Sequence, residues 1–335
     1  MHIRRVIYLI FLLAYVALTA SSVMAHEVYV LDKATFDIGA AVETSTKAFA
    51  SLNTANNVWL LAYGFIGLML VYGCSVLLAR TQLFRIYGLR LANLNKYAPL
   101  LLRIFFGVAL VISTAAGSFL GPELPFMNVL GEWARWLFMI LGIAITLGIF
   151  TEYAAALVLV LFVTAFFYQG PYMLTYFAYV GEAIVLLMYG VGEYSFDAHW
   201  RRRRVSMSNF EQEAFIVRIC YGIALAYTAV TVKLTHPDIT AAVVTKYNLT
   251  QYHWLFLSSD PYFITLIAGL LELFIALCII FGFRLRLTVG ISLLIYTISL
   301  FFFGEVVWPH LIFFGLSFYL LMMPQKLTLD RVLTR

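Results

Sequence analysis

Long apolar stretches separated by short polar segments dominate this chain. They fall at about 57–79, 99–119, 133–150, 154–169, 175–190, 213–233, 262–283, 287–303 and 309–323. Runs of this length and composition predict membrane helices, nine in all. Several are shorter than the roughly 20 residues a bilayer crossing takes, which leaves their ends and tilts open. One further run precedes them. Arg4 and Arg5 lead into apolar residues from Val6 to Ala20, followed by the small or aliphatic Ser21-Ser22-Val23-Met24-Ala25. That layout predicts a secretory signal peptide over 1–25, with an uncleaved anchor as the alternative. Either way the mildly polar segment 26–56 is expected outside the cytoplasm.

Composition narrows the class. Of 335 residues, 63% are hydrophobic and only 12% charged, and the mean hydropathy is +0.92. A soluble domain carries about a quarter charged residues, so a soluble enzyme, a disulfide scaffold and a disordered chain are excluded. The expected class is an all-α integral membrane protein whose first partner is the lipid bilayer. The net charge of +5 does not point to nucleic acid, because the basic residues follow topology. Thirteen lie in the expected inner loops and tail, including Arg80, Arg85, Arg90, Arg201 to Arg204, Arg284 and Arg286, against five in outer segments. This obeys the positive-inside rule and predicts a mature N-terminus outside and a C-terminus in the cytoplasm. Cys74, Cys220 and Cys278 all fall in apolar runs, with no metal or redox spacing.

An internal duplication organises the chain. Leu102-Arg103-Ile104-Phe105-Phe106-Gly107 aligns with Val217-Arg218-Ile219-Cys220-Tyr221-Gly222 at an offset of 115, as does Gly121-Pro122-Glu123 with His236-Pro237-Asp238. Leu147-Gly148-Ile149 matches Phe281-Gly282-Phe283 at 134, and Ser195-Phe196-Asp197 matches Thr328-Leu329-Asp330 at 133. About nineteen additional residues in the first outer loop of the second unit account for the growth in offset. The expected organisation is an extra helix and basic loop over 57–98, then four-helix units over 99–204 and 212–335. Four crossings per unit make the repeats parallel, and repeats of this kind commonly hold ligands at their mutual interface.

The Arg-x-x-x-Gly motifs at Arg103 and Arg218, the turns Gly148-Ile149-Phe150-Thr151 and Gly282-Phe283-Arg284, and Tyr194-Ser195-Phe196-Asp197-Ala198 resemble the DoxX/DoxD-like four-helix membrane proteins. Here two such units stand in tandem. The resemblance implies a four-helix bundle for each unit and a bacterial-type inner (plasma) membrane location. Some members of the family are subunits of a thiosulfate:quinone oxidoreductase, so it also implies contact with a quinone and with a redox partner protein.

The duplication sorts the polar residues. Arg103 and Arg218 occur in both units near inner helix ends, with Asp197 and Asp330 on the same side, and structural Arg–Asp pairs are expected. Glu182 and Glu272 are not duplicated, since Leu316 and Phe138 stand at their counterparts. Each lies near the middle of an apolar helix, where an ionised carboxylate costs at least ~2.5 kcal/mol. Such an acid must be protonated, paired or beside water, and it can pass a proton, bind a cation or hydrogen-bond a quinone carbonyl. His310, near Glu305 and Trp308, is a third candidate for chemistry. It could equally mark the interfacial belt with Trp254 and Trp308. His26, which becomes the first residue after cleavage, could chelate copper, with His236 and His253 as further outer metal ligands. Three functions therefore compete: a redox-associated membrane subunit linked to quinone or to thiol and sulfur donors, a proton- or cation-coupled small-solute transporter, and a non-catalytic assembly or metal-handling protein.

Overall fold

A computed structural model of the chain describes residues 45–78, 81, 88, 90–91, 93–189, 194–201, 210–252, 258–323 and 328–329. The leader at 1–25, His26, His253 and Asp330 lie outside these. Among the described residues ten longer helices form: α1 (Ala55–Leu78), α2 (Ala98–Ala115), α3 (Glu132–Leu147), α4 (Thr151–Gln169), α5 (Phe177–Tyr189), α6 (Phe210–Thr228), α7 (Pro237–Lys246), α8 (Pro261–Phe281), α9 (Leu285–Phe303) and α10 (Leu311–Met322). There is no strand among the described residues. Nine of the helices are the nine apolar runs. The tenth, α7, fills the loop to which the sequence assigns the additional residues.

Among the described residues, six helical stretches are long and apolar enough to cross a bilayer: Ala55–Leu78, Asn95–Ala115, Thr151–Met188, Gln212–Leu234, Pro261–Phe281 and Leu285–Phe303. The chain is an all-α membrane protein. The expected pattern of nine runs is modified in two respects. Tight 3-10 turns over Gly170–Tyr176 join α4 to α5, so these two runs form one helical stretch. Helices α3 and α10 have 16 and 12 residues. At 1.5 Å per residue they reach about 24 and 18 Å, short of a hydrocarbon core of about 30 Å.

By contact density the chain divides into two units. One comprises Met1–Val71, described from residue 45 on, with Gly170–Thr175 and Ala224–Phe274. The other comprises Tyr72–Gln169, Tyr176–Ile223 and Ile275–Arg335. This division cuts across the expected boundaries at 99–204 and 212–335.

In the first unit, Ala48, Leu234, Phe263 and Leu266 form a buried core with Leu52, Leu60 and Ile267 against it. After α6 the helix widens into a π-helical turn over Ala229–Leu234. Gly269 of α8 lets that turn approach, since a Cβ there would stand 2.9 Å from the Lys233 Cβ. The segment that begins at Ser45 is fastened here. The Ser45 amide donates to the Thr235 carbonyl at 2.9 Å, and Lys47 Nζ and the Tyr262 hydroxyl both donate to Asp238 Oδ1, at 2.7 and 2.8 Å. Burial pushes the Asp238 carboxyl up, but the hydrogen bonds from Lys47 and Tyr262 and the Lys47 charge outweigh this and hold it below the usual carboxylate range. The hydrogen bond to Asp238 holds the Lys47 ammonium above its usual value.

The second unit is built around α2. A Cβ on Gly107 would stand 2.7 Å from the Gly142 carbonyl oxygen, and one on Gly142 would stand 3.0 Å from the Gly107 carbonyl oxygen. The two backbones touch because neither residue has a side chain. The same contact recurs where Gly222 of α6 meets the Ala276 carbonyl of α8, 3.0 Å from a Cβ position. These residues are related by the offsets 115 and 134. The turns recur as well. Gly148 and Gly282 adopt left-handed φ of 74° and 68°, and the guanidinium of Arg103 or Arg218 occupies the space a Cβ would need. Two residues later, Phe150 and Arg284 are also left-handed, with φ of 48° and 45°. Arg284 uses that geometry to donate from Nε to Ser75 Oγ at 3.0 Å, while the Tyr72 hydroxyl meets Thr288 Oγ1 at 2.8 Å. Both contacts fix the end of α1 to this unit.

Two measurements check this packing. Gly107→Val is expected to lower thermal stability in detergent by about 1–3 kcal/mol through overpacking. Gly64→Ala, with nothing within 4 Å of the new methyl, should stay within about 0.5 kcal/mol. For the Ser45 anchor the sign follows from the depressed Asp238 carboxyl. Its stabilisation is complete above the unfolded carboxylate pKa and is lost as pH falls through the lower folded value. Hydrogen-exchange protection of residues 45–50 should therefore hold at neutral pH and decline only on acidification below the usual Asp range. In Asp238→Asn it should be weak throughout.

Candidate functional site

Glu182 sits six residues into the 13-residue α5 and is fully buried. Neither carboxyl oxygen has a hydrogen-bond partner among the described residues. Helix α10 packs beside it. A Cβ on Gly315 of α10 would stand 3.4 Å from Glu182 Oε1 and 2.7 Å from the Phe105 Cβ of α2. One residue before Glu182, Gly181 packs on Cys220 of α6, whose Cβ is 2.6 Å from a Cβ position. Gly181 and Gly315 are related by the offset 134, and Cys220 and Phe105 by 115. The acid therefore stands beside two equivalent helix crossings, with Leu316 at its own counterpart.

Tyr179, one turn earlier, shares this isolation. It is 2% exposed, and its hydroxyl has no hydrogen-bond partner among the described residues. It borders a narrow apolar cleft with Phe119, Phe138, Val158 and Phe162, too tight to admit water. Its ring packs on Phe106 at 5.8 Å and on Tyr176 at 6.2 Å between centroids. The pair Tyr221–Phe313, at 5.6 Å, stands at the places corresponding to Phe106–Tyr179, with the phenol on the opposite partner. There the hydroxyl is satisfied by Ser292 at 3.1 Å and Ser317 at 3.2 Å. Around Tyr179 the matching residues are Val158 and Ala183, which carry no hydrogen-bonding side chain. Above Tyr179, the Tyr176 hydroxyl donates to the Glu123 carboxylate.

No family model, curated protein or solved structure matches the chain.

Glu272, the other acid singled out by the sequence, has a partner. Lys233 Nζ lies 2.8 Å from Glu272 Oε2, both side chains largely buried. The sequence places Lys233 only at an outer helix end. The π-helical turn and the missing side chain at Gly269 bring it against α8.

His310 and Trp308 are 1% and 7% exposed, so this pair is not part of an exposed interfacial belt. His310 Nδ1 lies 3.0 Å from the Val306 carbonyl. A carbonyl only accepts, so Nδ1 carries the proton. Nε2 then faces Glu305 Oε2 at 2.8 Å, while Ser299 Oγ donates to Glu305 Oε1 at 2.7 Å. One proton can therefore be shared between imidazole and carboxylate.

His236 directs Nδ1 at the Thr231 carbonyl, 2.7 Å away. Among the described residues no group of three or more His, Cys, Asp or Glu is placed to hold a metal ion. Of the expected ion pairs, Arg103 donates to the Tyr194 carbonyl at 2.6 Å within electrostatic reach of Asp197. Asp197 Oδ2 also accepts the Thr151 amide at 3.1 Å. Arg218 lies over the Phe215 ring at 5.3 Å and against Gly282 and Thr328.

Sequence reasoning missed Lys233, Tyr176 and Tyr179. The spacing of Tyr176, Tyr179 and Glu182, three residues apart on one helical face, is the signal that could have found the last two. The Lys233–Glu272 pair has its own test. Lys233→Met is expected to cost about 3 kcal/mol, because it leaves a carboxylate unpaired, whereas Lys233→Met with Glu272→Leu should recover most of the loss. Thermal unfolding of the two variants and the parent would measure this.

Proposed function

We propose that this chain is a redox-associated membrane subunit of the DoxX-like type, with two tandem four-helix units and a quinone-contacting site at Glu182. Its electrons would come from a thiol or sulfur donor or a partner protein. The tandem reading is supported by the recurrence of three separate packing features at constant offsets: the Gly107 and Gly222 crossings, the Arg-filled turns at Gly148 and Gly282, and the Gly181 and Gly315 crossings. The inner membrane location, the signal peptide and the outward N-terminus remain part of the same reading.

One observation carries the site: a fully buried carboxyl group with neither oxygen engaged. In apolar surroundings such a group either holds a proton or gains a partner from a ligand. The chemistry of two groups there suits a lipid-soluble carbonyl compound, which would have to part the helices to reach them, since the cleft beside Tyr179 is too narrow even for water. Glu182 and Tyr179 are two unengaged polar groups in an otherwise aromatic and aliphatic interior, and each can offer an O–H to a carbonyl oxygen. When bound, a quinone would supply the two-electron chemistry that the chain itself lacks. Glu182 would hold the proton that accompanies those electrons, and the packed helices would exclude water from it. A carrier using both acids draws less support, because Glu272 is already held by Lys233.

Binding of a short-chain ubiquinone to the purified protein in nanodiscs tests this. Saturable binding is expected, weakened about tenfold in Glu182→Leu, which corresponds to one hydrogen bond of about 1.4 kcal/mol. Glu182→Gln should still bind but should lose proton release linked to quinone turnover. Absence of saturable binding, or unchanged affinity in Glu182→Leu, would remove the quinone reading.

A further inference from the structure

The turn between α9 and α10 holds another buried acid, Glu305, and its partners are in place. We infer that Ser299, Glu305 and His310 form a proton-operated latch on this turn. A single proton between His310 Nε2 and Glu305 Oε2 keeps the turn closed, and loss of that proton as the pH rises releases it. The latch stands apart from Glu182 and does not depend on the quinone reading.

Each link is a direct contact. His310 Nδ1 lies 3.0 Å from the Val306 carbonyl, which only accepts, so Nδ1 is committed as a donor. Nε2 lies 2.8 Å from Glu305 Oε2, with both side chains almost fully buried. Ser299 Oγ donates to the other carboxyl oxygen, Oε1, at 2.7 Å. With Nδ1 committed, an unprotonated Nε2 would turn its lone pair on a carboxylate lone pair. A separation of 2.8 Å is instead that of a charge-assisted N–H···O contact. The closed turn therefore requires one proton between the two atoms, whether it rests on nitrogen or on oxygen. The three residues join the last turns of α9, the turn itself and the start of α10.

A turn of this kind forms without the three residues. At offset 134, Ser299, Gly304, Glu305 and His310 correspond to Ala165, Gly170, Pro171 and Tyr176. Gly170 and Gly304 share a left-handed φ, 64° and 63°, and 3-10 turns follow in both places. Yet Ala165 and Pro171 have no side-chain group that could hold a proton. Burying an ionisable pair where apolar residues could pack commonly brings no gain in stability. What the second series adds at this turn is a response to pH.

The surrounding helices leave that response to the pair itself. The turn packs against α2 and α10. From Gly107 to Ala115, α2 carries no ionisable side chain. At its end, Arg135 of α3 is engaged with the Thr114 and Ala115 carbonyls, at 2.8 and 3.3 Å. In α10 the ionisable side chain is Tyr319, which donates to Glu213 at 2.8 Å. In α9, Tyr296 stacks on Phe313 at 5.4 Å, and Arg286 stands at the opposite end of the helix. Glu305 lies between the exposed residues Gly304 and Val306, so opening of this short turn brings the pair to solvent. Closed, the pair holds one proton. Opened, above the ordinary imidazole range, it holds none. Closure is thus fully supported at lower pH and weakens as the pH rises.

The test combines amide hydrogen exchange with NMR of isotope-labelled histidine, on the full chain in nanodiscs. The imidazole signal of His310 is the one missing in His310→Gln. At about pH 6 it should show both ring nitrogens bonded to a proton or sharing one. From about pH 6 to about pH 9, a range that brackets ordinary imidazole titration, that proton should be lost. Exchange of the amides between residues 304 and 310, corrected for its intrinsic pH dependence, should rise about tenfold with it, the equivalent of one hydrogen bond. Glu305→Gln keeps the shape, and its amide can donate to an unprotonated Nε2, so its turn should stay closed with a flat pH profile. His310→Gln donates to Glu305 without titrating, has the same expected flat profile, and serves where Glu305→Gln does not fold. Residues 45–50 are the internal control, because their anchor at Asp238 weakens on acidification instead. A flat profile in the parent, the parent's profile in the folded glutamine variant, a bare Nε2 in the closed turn, or an equal alkaline rise at residues 45–50 would overturn the latch.

Discussion

Everything in the second unit depends on how closely helices can approach without a hydrophobic driving force. Lipid tails are as apolar as leucine, so helix association in a membrane rests on packing, and small residues set the distance. At Gly107 and Gly142 the backbones of α2 and α3 meet. That contact holds the bundle tight enough to bury Arg103 under the turn at Gly148, and the turn in turn sets the start of α4. A methyl group at either glycine would separate the helices, and the guanidinium would lose its seat. The same dependence links Gly222, Ala276, Arg218 and Gly282.

Agreement between the two series marks scaffold, and disagreement marks places where packing alone is not the reason. Gly107 and Gly222, Gly181 and Gly315, Arg103 and Arg218, and the left-handed turns at Gly148 and Gly282 agree. The polar interior does not. Tyr221 is engaged by two serines, whereas Tyr179 faces Val158 and Ala183. Glu182 stands opposite Leu316. His310, with its Glu305 partner, stands where the first series has Tyr176 bonded to Glu123. Each difference adds or withdraws a proton-bearing group, and none changes the course of the backbone. Positions at matching offsets thus carry different polar groups.

The apolar runs were legible because a helix in lipid must be apolar all round, and that leaves a signal twenty residues long. The lone carboxylates were legible for the same reason. Their environments were not. Glu182 and Glu272 look alike in the sequence, both single acids inside apolar helices. One is paired because the π-helical turn at 229–234 shifts Lys233 away from the position that regular helical spacing assigns it, and local spacing cannot foresee a change of helical period. Tyr179 was hidden by numbers, since 21 tyrosines in an aromatic-rich chain give no reason to pick one. Trp308 and His310 read as belt residues because interfacial aromatics are common. Their burial depends on α2 packing against the turn that carries them, a contact between segments almost two hundred residues apart.

The two halves of the first series answer different physical demands. At Arg103 and Asp197 the charges lie at a helix end, with backbone partners near, so a fixed ionic site is affordable and specific. At Glu182 no such partner stands among the described residues, and a permanent charge there would draw in water or force the helices apart. A neutral, protonated acid avoids both. The tight crossings at Gly181 and Gly315 pack the helices closely beside it.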